Sequence, residues 1–374
     1  MIRIPVCEPF LDGNEKKYVD ECISTGWISS SGRFIKEFEE KFAEYCGAKY
    51  AVCTSNGTVA LHLAIVSAGI GKGDEVIIPD FTMIATAFAV CYTGAVPVFI
   101  DACHDNWNID VTKIEEKITA RTKAIIPVSI FGHPCEMDEL KALAKKYDLI
   151  IIEDAAESHG AEYKGIKLGS IADLTAFSFF ANKNVTTGEG GAVVTNSEDL
   201  YRNAQYYKNL CFPLNSRRSY SHDDIGFNYR MSNIHAAIGL AQVEKADYYK
   251  SLRIRNHNIY VRNLNDIQGI RFQQSKDYVT NVYWMNSIII DSSEYGKSRD
   301  QLICYLNDNG IDTRLLFKGM HTQKSLIKFG CDCSGLYPIT NLLSENGFYL
   351  PSASNLAEDD IKFICGLIRE LRIK

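Results

Sequence analysis

No apolar run in this sequence approaches the ~20 residues that a helix needs to cross a bilayer. The longest, such as Leu149-Ile150-Ile151-Ile152, span only a few positions. The opening residues Met1-Ile2-Arg3-Ile4-Pro5-Val6-Cys7-Glu8-Pro9 lack an apolar core and argue against a secretory leader. Positive charge is not in excess: 40 Lys and Arg face 46 Asp and Glu, for a net charge of −6. Gripping a nucleic-acid backbone needs concentrated Lys and Arg, so that function class is excluded, while a local pocket for a small anion is not. The 12 cysteines show no disulfide-framework spacing, and Cys331-Asp332-Cys333 by itself makes no metal pattern. The cysteines read as reduced thiols, which points to a cytoplasmic protein without a metal site. Low-complexity tracts and fixed-period repeats are also missing.

What remains is an ordinary soluble composition, 46% hydrophobic and 23% charged, over 374 residues. At roughly 150 residues per domain, that length suggests two domains. Between about residues 50 and 200, short apolar runs alternate with amphipathic stretches. Strands are expected at 51–53, 75–78, 97–100, 124–128 and 149–152, and helices at 58–68 and 136–147. Apolar strands separated by helices predict a mostly parallel, doubly wound α/β sheet covered on both faces. Two more strands are expected at 176–180 and 191–195, around a Thr- and Gly-rich loop. A single long helix is expected from Asn233 to about Leu264. A strand at 283–290, a helix at 299–309 and a closing helix at 357–371 make a different, α+β unit. We therefore expect a large domain over 1–248, with the N-terminal segment included, and a small domain over 249–374.

Open parallel sheets bind ligands beyond the carboxyl ends of their strands, and three chemically loaded segments fall there. Thr54-Ser55-Asn56-Gly57-Thr58 links a strand to an apolar helix. It can cradle a phosphate on free helix amides, or be an ordinary N-cap made by Ser55 or Thr58. Asp154, in Ile152-Glu153-Asp154-Ala155-Ala156-Glu157, ends a buried strand and needs a cationic partner: a protonated pyridine nitrogen, a Mg²⁺ ion or a salt bridge. Lys183, at the base of the Gly-rich hairpin after Ser178, is either a Schiff-base amine or a surface lysine. A phosphate pocket, a carboxylate and an amine, in this chain order, form the set that a pyridoxal 5′-phosphate enzyme must supply.

These segments, with Leu11-Asp12-Gly13-Asn14-Glu15, Gly26-Trp27-Ile28-Ser29-Ser30, Gly73-Asp74-Glu75-Val76-Ile77 and Gly226-Phe227-Asn228-Tyr229-Arg230-Met231, resemble the DegT/DnrJ/EryC1/StrS family of sugar aminotransferases over nearly the whole chain. Within it the sequence is most similar to the GDP-perosamine synthases. The resemblance implies the fold type I, aspartate aminotransferase-like architecture. It gives Lys183 the Schiff base and the proton transfers, and Asp154 the pyridinium. Glu157 falls near the cofactor's phenolic oxygen, and Ser55, Asn56, Gly57, Thr58 and Ser178 fall around its phosphate. Asn228 would reach the phosphate from a partner subunit, which implies a homodimer with shared sites. Related dehydratases carry His in place of this lysine, so Lys183 favours transamination. The implied cycle takes an amino group from L-glutamate, forms pyridoxamine 5′-phosphate and passes the group to a ketone.

Some positions depart from the family pattern. Met83 stands where members usually stack an aromatic ring on the cofactor, although a thioether can also pack there; Phe81 could substitute in part, but should point differently. Arg314-Leu315-Leu316-Phe317-Lys318-Gly319-Met320-His321 replaces a motif close to Arg-Pro-Val-Phe-His-Pro-Met-His, and the loop with Arg217, Arg218 and His222 is also unlike theirs. Trp27, Ser29, Arg217, Arg230, Arg314, Lys318 and His321 are the candidates for the acceptor site. Two enzyme readings follow: amination at C4 of a nucleotide-linked 4-keto-6-deoxy sugar for surface polysaccharide, or the same chemistry on another phosphorylated ketone such as a triose phosphate. A non-catalytic cofactor-binding regulator is the third reading, and the presence of both Lys183 and Asp154 counts against it.

Overall fold

The computed structural model describes residues 3–214 and 220–373. Its Val- and Ile-rich segments form a seven-stranded sheet of β1 (Tyr50–Thr54), β2 (Glu75–Pro79), β3 (Val96–Ile100), β4 (Thr122–Ile125), β5 (Ile150–Asp154), β6 (Leu174–Ser178) and β7 (Gly191–Thr195). The spatial order is β1-β7-β6-β5-β4-β2-β3. β2 pairs in parallel with β3 and β4, β4 with β5, and β5 with β6. β7 runs antiparallel to its neighbours β1 and β6. The helices of this half are α1 (Glu15–Thr25), α2 (Arg33–Cys46), α3 (Gly57–Ser67), α4 (Ile84–Tyr92), α5 (Met137–Tyr147), α6 (Glu198–Lys208) and α7 (Asn233–Glu244), followed by α8 (Ala246–Leu264).

Alternation along a strand sends successive side chains to opposite faces. Val76, Ile78, Ala124, Ile126 and Ile152 accordingly share one core with Leu61, Leu63 and Ile65 of α3. Ile77, Ile125 and Ile151 share another with Leu140 and Ala144 of α5. Helix α3 is apolar nearly all round because it is sandwiched between the sheet, α4 and α6.

A second, four-stranded antiparallel sheet has β8 (Ile270–Phe272), β9 (Asn286–Ile290), β10 (Arg314–Leu315) and β11 (Gly347–Leu350) in the order β8-β9-β11-β10. With α9 (Arg299–Asp308) and α10 (Glu358–Ile373) it encloses its own core, including Ile288, Ile290, Leu302, Leu306, Phe348, Ile364 and Ile368.

Several expected boundaries shift. The strand expected at 124–128 is β4 over Thr122–Ile125, because Pro127 lacks the N–H that a ladder requires. The expected single helix breaks at Lys245, whose φ of −117° leaves the helical range while its ammonium reaches the Asp12 carboxylate at 2.9 Å. Within the N-terminal segment, Cys22 of α1 and Phe34, Phe38 and Phe42 of α2 pack in the first unit, while Ile4 packs in the second core, bridges Ile311 and accepts the Asp312 amide at 2.9 Å. Ala246, at the start of α8, packs on the first unit, while Ile259, Tyr260 and Leu264 pack on the second, and we propose that the two units meet within this helix.

Candidate active site

The carboxyl ends of β1, β5 and β6, with the loops that follow β2 and β4, open on one cavity of about 600 Å³. This is where a doubly wound sheet places a ligand, and the size suits an organic cofactor with its substrate.

Asp154, the last residue of β5, lies fully buried at the cavity wall. Its carboxylate accepts hydrogen bonds from the Thr86 hydroxyl at 2.8 Å and the Ala156 amide at 3.1 Å. No cation lies within 4 Å of it among the described residues. Burial pushes its carboxyl above the usual range, and the two hydrogen bonds hold it partly down. A buried carboxylate in this state is built to receive a positive charge.

Lys183 follows β6 after a turn in which its amide bonds the Phe180 carbonyl at 2.9 Å. Its Nζ lies 3.6 Å from the centre of the Trp284 ring and 3.8 Å from Glu157 Oε1. The other Glu157 oxygen accepts the Phe131 amide at 2.8 Å. Burial draws the Lys183 amine below the ordinary lysine range, with the Glu157 and Asp154 carboxylates opposing. Burial also pushes Glu157 up to about 7. Burial thus eases loss of the ammonium proton, and the deprotonated amine can act as a nucleophile and a base.

The third segment is a cradle. Asn56, not Ser55 or Thr58, caps α3, its side chain accepting the Val59 amide at 3.0 Å, because its extended backbone aims the carboxamide along the helix. The Gly57 and Thr58 amides make no hydrogen bond to the described residues, and both residues line the cavity with Asn56 and Ser178. A Cβ on Gly57 would sit 2.6 Å from Ser178 Cβ, and one on Gly191 would sit 2.4 Å from the Asn56 carbonyl oxygen. Glycine at both positions lets β1, β6 and β7 close around a ready anion site.

Met83 also lines the cavity, nearly half exposed, with its sulfur accepting the Ala85 amide at 3.1 Å. Phe81 turns away into the core against Phe131 and Phe317. Ser55 does not line the cavity; its amide donates to the Tyr229 carbonyl. Asn228 is exposed and outside it.

Most acceptor-site candidates also lie elsewhere. Trp27 and Ser29 are exposed, and their carbonyls accept hydrogen bonds from Asn233. Arg230 bonds Asn209 beside a separate cavity. Arg314 pairs with Asp312 at the surface, and Lys318 is exposed. His321 is tied to the buried Asp80 at 2.6 Å and stacks on Tyr337, which explains that histidine structurally. Arg217 and Arg218 lie outside the described residues. Conversely, the cavity is completed by Trp284, Phe317 and Tyr349, none of which was marked as a site residue from the sequence. Trp284 and Tyr349 sit in or beside apolar strands of the second sheet, where nothing local distinguishes a cavity wall from a core position. Thr86 was equally silent, as one small residue in an apolar helix.

Among the described residues this donor set fits pyridoxal 5′-phosphate: unpaired amides beside Ser178 for the phosphate, a buried carboxylate with no cation within 4 Å for the ring nitrogen, and a desolvated amine for the carbonyl. The protein is a pyridoxal phosphate-dependent aminotransferase of fold type I. The chain belongs to the DegT/DnrJ/EryC1/StrS aminotransferase family, which it matches over residues 9–369. It is 45% identical to the GDP-perosamine synthase of Escherichia coli O157:H7 over 370 residues, 99% of each chain. The GDP-perosamine synthase of Caulobacter vibrioides is 43% identical, again over 99% of each chain. Among solved structures, DesV of S. venezuelae superposes with a TM-score of 0.90 at 31% identity, covering 96% of this chain and 95% of that one.

Proposed function

We propose that the protein transfers an amino group from L-glutamate to the C4 ketone of a nucleotide-linked 4-keto-6-deoxy sugar, in the manner of a GDP-perosamine synthase, for a surface polysaccharide. The observation that carries the chemistry is the placement of Asp154, buried with no cation within 4 Å among the described residues, in one cavity with the desolvated Lys183 amine. Full-length similarity to two GDP-perosamine synthases supports the acceptor. Lys318, one of the residues behind the triose phosphate alternative, is exposed and does not line the cavity.

When bound, pyridoxal phosphate supplies the carbonyl that carries the amino group and a ring that withdraws electrons. Asp154 holds the ring nitrogen charged. The Gly57 and Thr58 amides and the Ser178 hydroxyl hold the phosphate. Lys183 Nζ removes and returns the proton at the substrate carbon in both half-reactions. Glu157 keeps that amine oriented over Trp284. The aromatic wall of Trp284, Phe317 and Tyr349 helps to exclude water from the reacting carbon. The same proposal includes a homodimer in which Asn228, exposed on its own subunit, completes the partner's phosphate site. It also places the enzyme in the cytoplasm, a reducing compartment suited to 12 free cysteines. Among the described residues, no helix is long and apolar enough to cross a membrane.

The test follows the absorption of the cofactor through two half-reactions. Protein loaded with pyridoxal phosphate is converted by glutamate to the pyridoxamine phosphate form and freed of excess donor. GDP-4-keto-6-deoxymannose should then restore the starting spectrum, and dihydroxyacetone phosphate should not. Recovery with the triose phosphate alone would overturn the acceptor assignment.

A further inference from the structure

We propose that the Tyr349 hydroxyl binds the acceptor through the hydroxyl on the carbon next to its ketone, and so sets specificity in the second half-reaction. The assignment rests on the acceptor named above and adds how the site reads it.

Tyr349 is held firmly. It lies in β11, paired with Ser287 of β9 on one side and Arg314 of β10 on the other. Its ring meets Phe131 edge-on at 6.3 Å and leans on Trp284 at 6.4 Å. That Trp284 ring also carries the Lys183 amine, 3.6 Å from its centre. Tyr349 is therefore one side chain away from the group that handles the reacting carbon, and it lines the same cavity.

The hydroxyl itself is uncommitted. The buried tyrosines Tyr260 and Tyr295 donate to the carbonyls of Pro351 and Ile368. The half-buried Tyr349 makes no hydrogen bond to the described residues. A partly buried hydroxyl without a protein partner is available to a ligand at little cost. Its neighbours on this wall cannot compete. Phe317 has no polar atom, and the Trp284 indole N–H is spent on the Asn182 carbonyl at 2.9 Å. Burial, with the Glu157 carboxylate adding to it, pushes the phenol up to about 12, so the group stays a donor at working pH.

Chemistry selects its partner. The carbon that gains the amino group must approach Lys183 Nζ, so an oxygen within reach of Tyr349 belongs to the adjoining carbon. In a 4-keto-6-deoxyhexose C4 adjoins C3, which carries a hydroxyl, and C5, which carries only the ring oxygen and a methyl; the hydroxyl that can both accept and donate is the one on C3. In glutamate the carbon next to the reacting one is a carboxylate, which calls for a cationic partner, so the uncharged phenol is assigned chiefly to the acceptor.

The experiment uses Tyr349→Phe in the cofactor-loaded enzyme, which keeps the ring and its packing. We expect the glutamate half-reaction to stay within about twofold of wild type and kcat/KM for GDP-4-keto-6-deoxymannose to fall about tenfold or more. With GDP-4-keto-3,6-dideoxymannose, which lacks the C3 hydroxyl, wild type and variant should agree within about twofold. Equal losses in both half-reactions, no loss, or a loss that persists with the dideoxy acceptor would each overturn the assignment. A wild-type enzyme that accepts glutamate's amino group but ignores GDP-4-keto-6-deoxymannose would overturn the proposed function, and this contact with it. That outcome is distinct from a wild type that turns over and a variant that does so equally well.

Discussion

The two sheets bury charge in opposite ways. At the carboxyl ends of the first, Asp154, Glu157 and Lys183 sit together: among the described residues Asp154 has no cation within 4 Å, and Lys183 pairs loosely with Glu157 at 3.8 Å. Behind the second sheet, Arg253 is just as buried but fully bonded. Its guanidinium donates to the Ser354 hydroxyl, the Trp284 carbonyl and the Ser352 carbonyl. Among the described residues neither Asp154 nor Arg253 forms an ion pair within 4 Å, and Asp154 lines the cavity while Arg253 is held by backbone carbonyls and the Ser354 hydroxyl. A buried ion satisfied by backbone is part of the structure, whereas one left short beside a cavity is a place for a ligand.

That contrast can be broken at several points. The largest effect should come from Lys183→Ala, which removes the one amine that lines the cavity among the described residues. Turnover should fall by at least about 10⁴-fold, measured with glutamate and the keto sugar. Near-normal rates would show that the proton is moved by another group.

Next is a matched pair. Asp154→Asn should weaken cofactor binding roughly 100-fold while leaving cofactor-free stability unchanged or slightly raised, because a lone buried carboxylate is a burden without its ligand. Arg253→Met should instead cost about 3 kcal/mol in urea unfolding, since it strands buried carbonyls. If both variants destabilise the cofactor-free protein alike, the distinction between the two buried ions fails.

The smallest effect concerns pH. Burial raises Glu157 to about 7 in the folded protein, above its ordinary value. Its contribution to stability is therefore present below the ordinary glutamate pKa and lost as pH rises through 7. Lys183 offsets part of that loss. Glu157→Gln should thus gain on wild type by about 2 kcal/mol between pH 5 and pH 8 in cofactor-free protein. Parallel curves for the two proteins would mean that Glu157 does not titrate in this range.

Local pattern made much of this molecule legible. Ile150-Ile151-Ile152, Val76-Ile77-Ile78 and Pro97-Val98-Phe99 could only be buried strands, and the helices between them follow from their periodicity. The three loaded segments were visible because each combines a strand end with a chemically distinctive residue. Illegible were the break at Lys245, set by its reach to Asp12, and the bridge of Ile4 to Ile311, more than 300 residues away. The acceptor side was the least legible. Lys318 and His321 looked like site residues by type, but one is exposed and the other is engaged by Asp80.

By itself, then, the sequence determined the alternating α/β pattern, the phosphate loop, Asp154, Lys183 and the chemistry they share. These depend on residue type and on neighbours close along the chain. Only the tertiary structure decided that the three segments meet in one cavity, because parallel strands align their carboxyl ends at one edge of the sheet. It likewise decided that Trp284 and Tyr349 close that cavity from the second sheet. Both residues lie a hundred positions or more beyond Lys183, and it is packing between the two units, with no signal in their own neighbourhoods, that brings them to the amine.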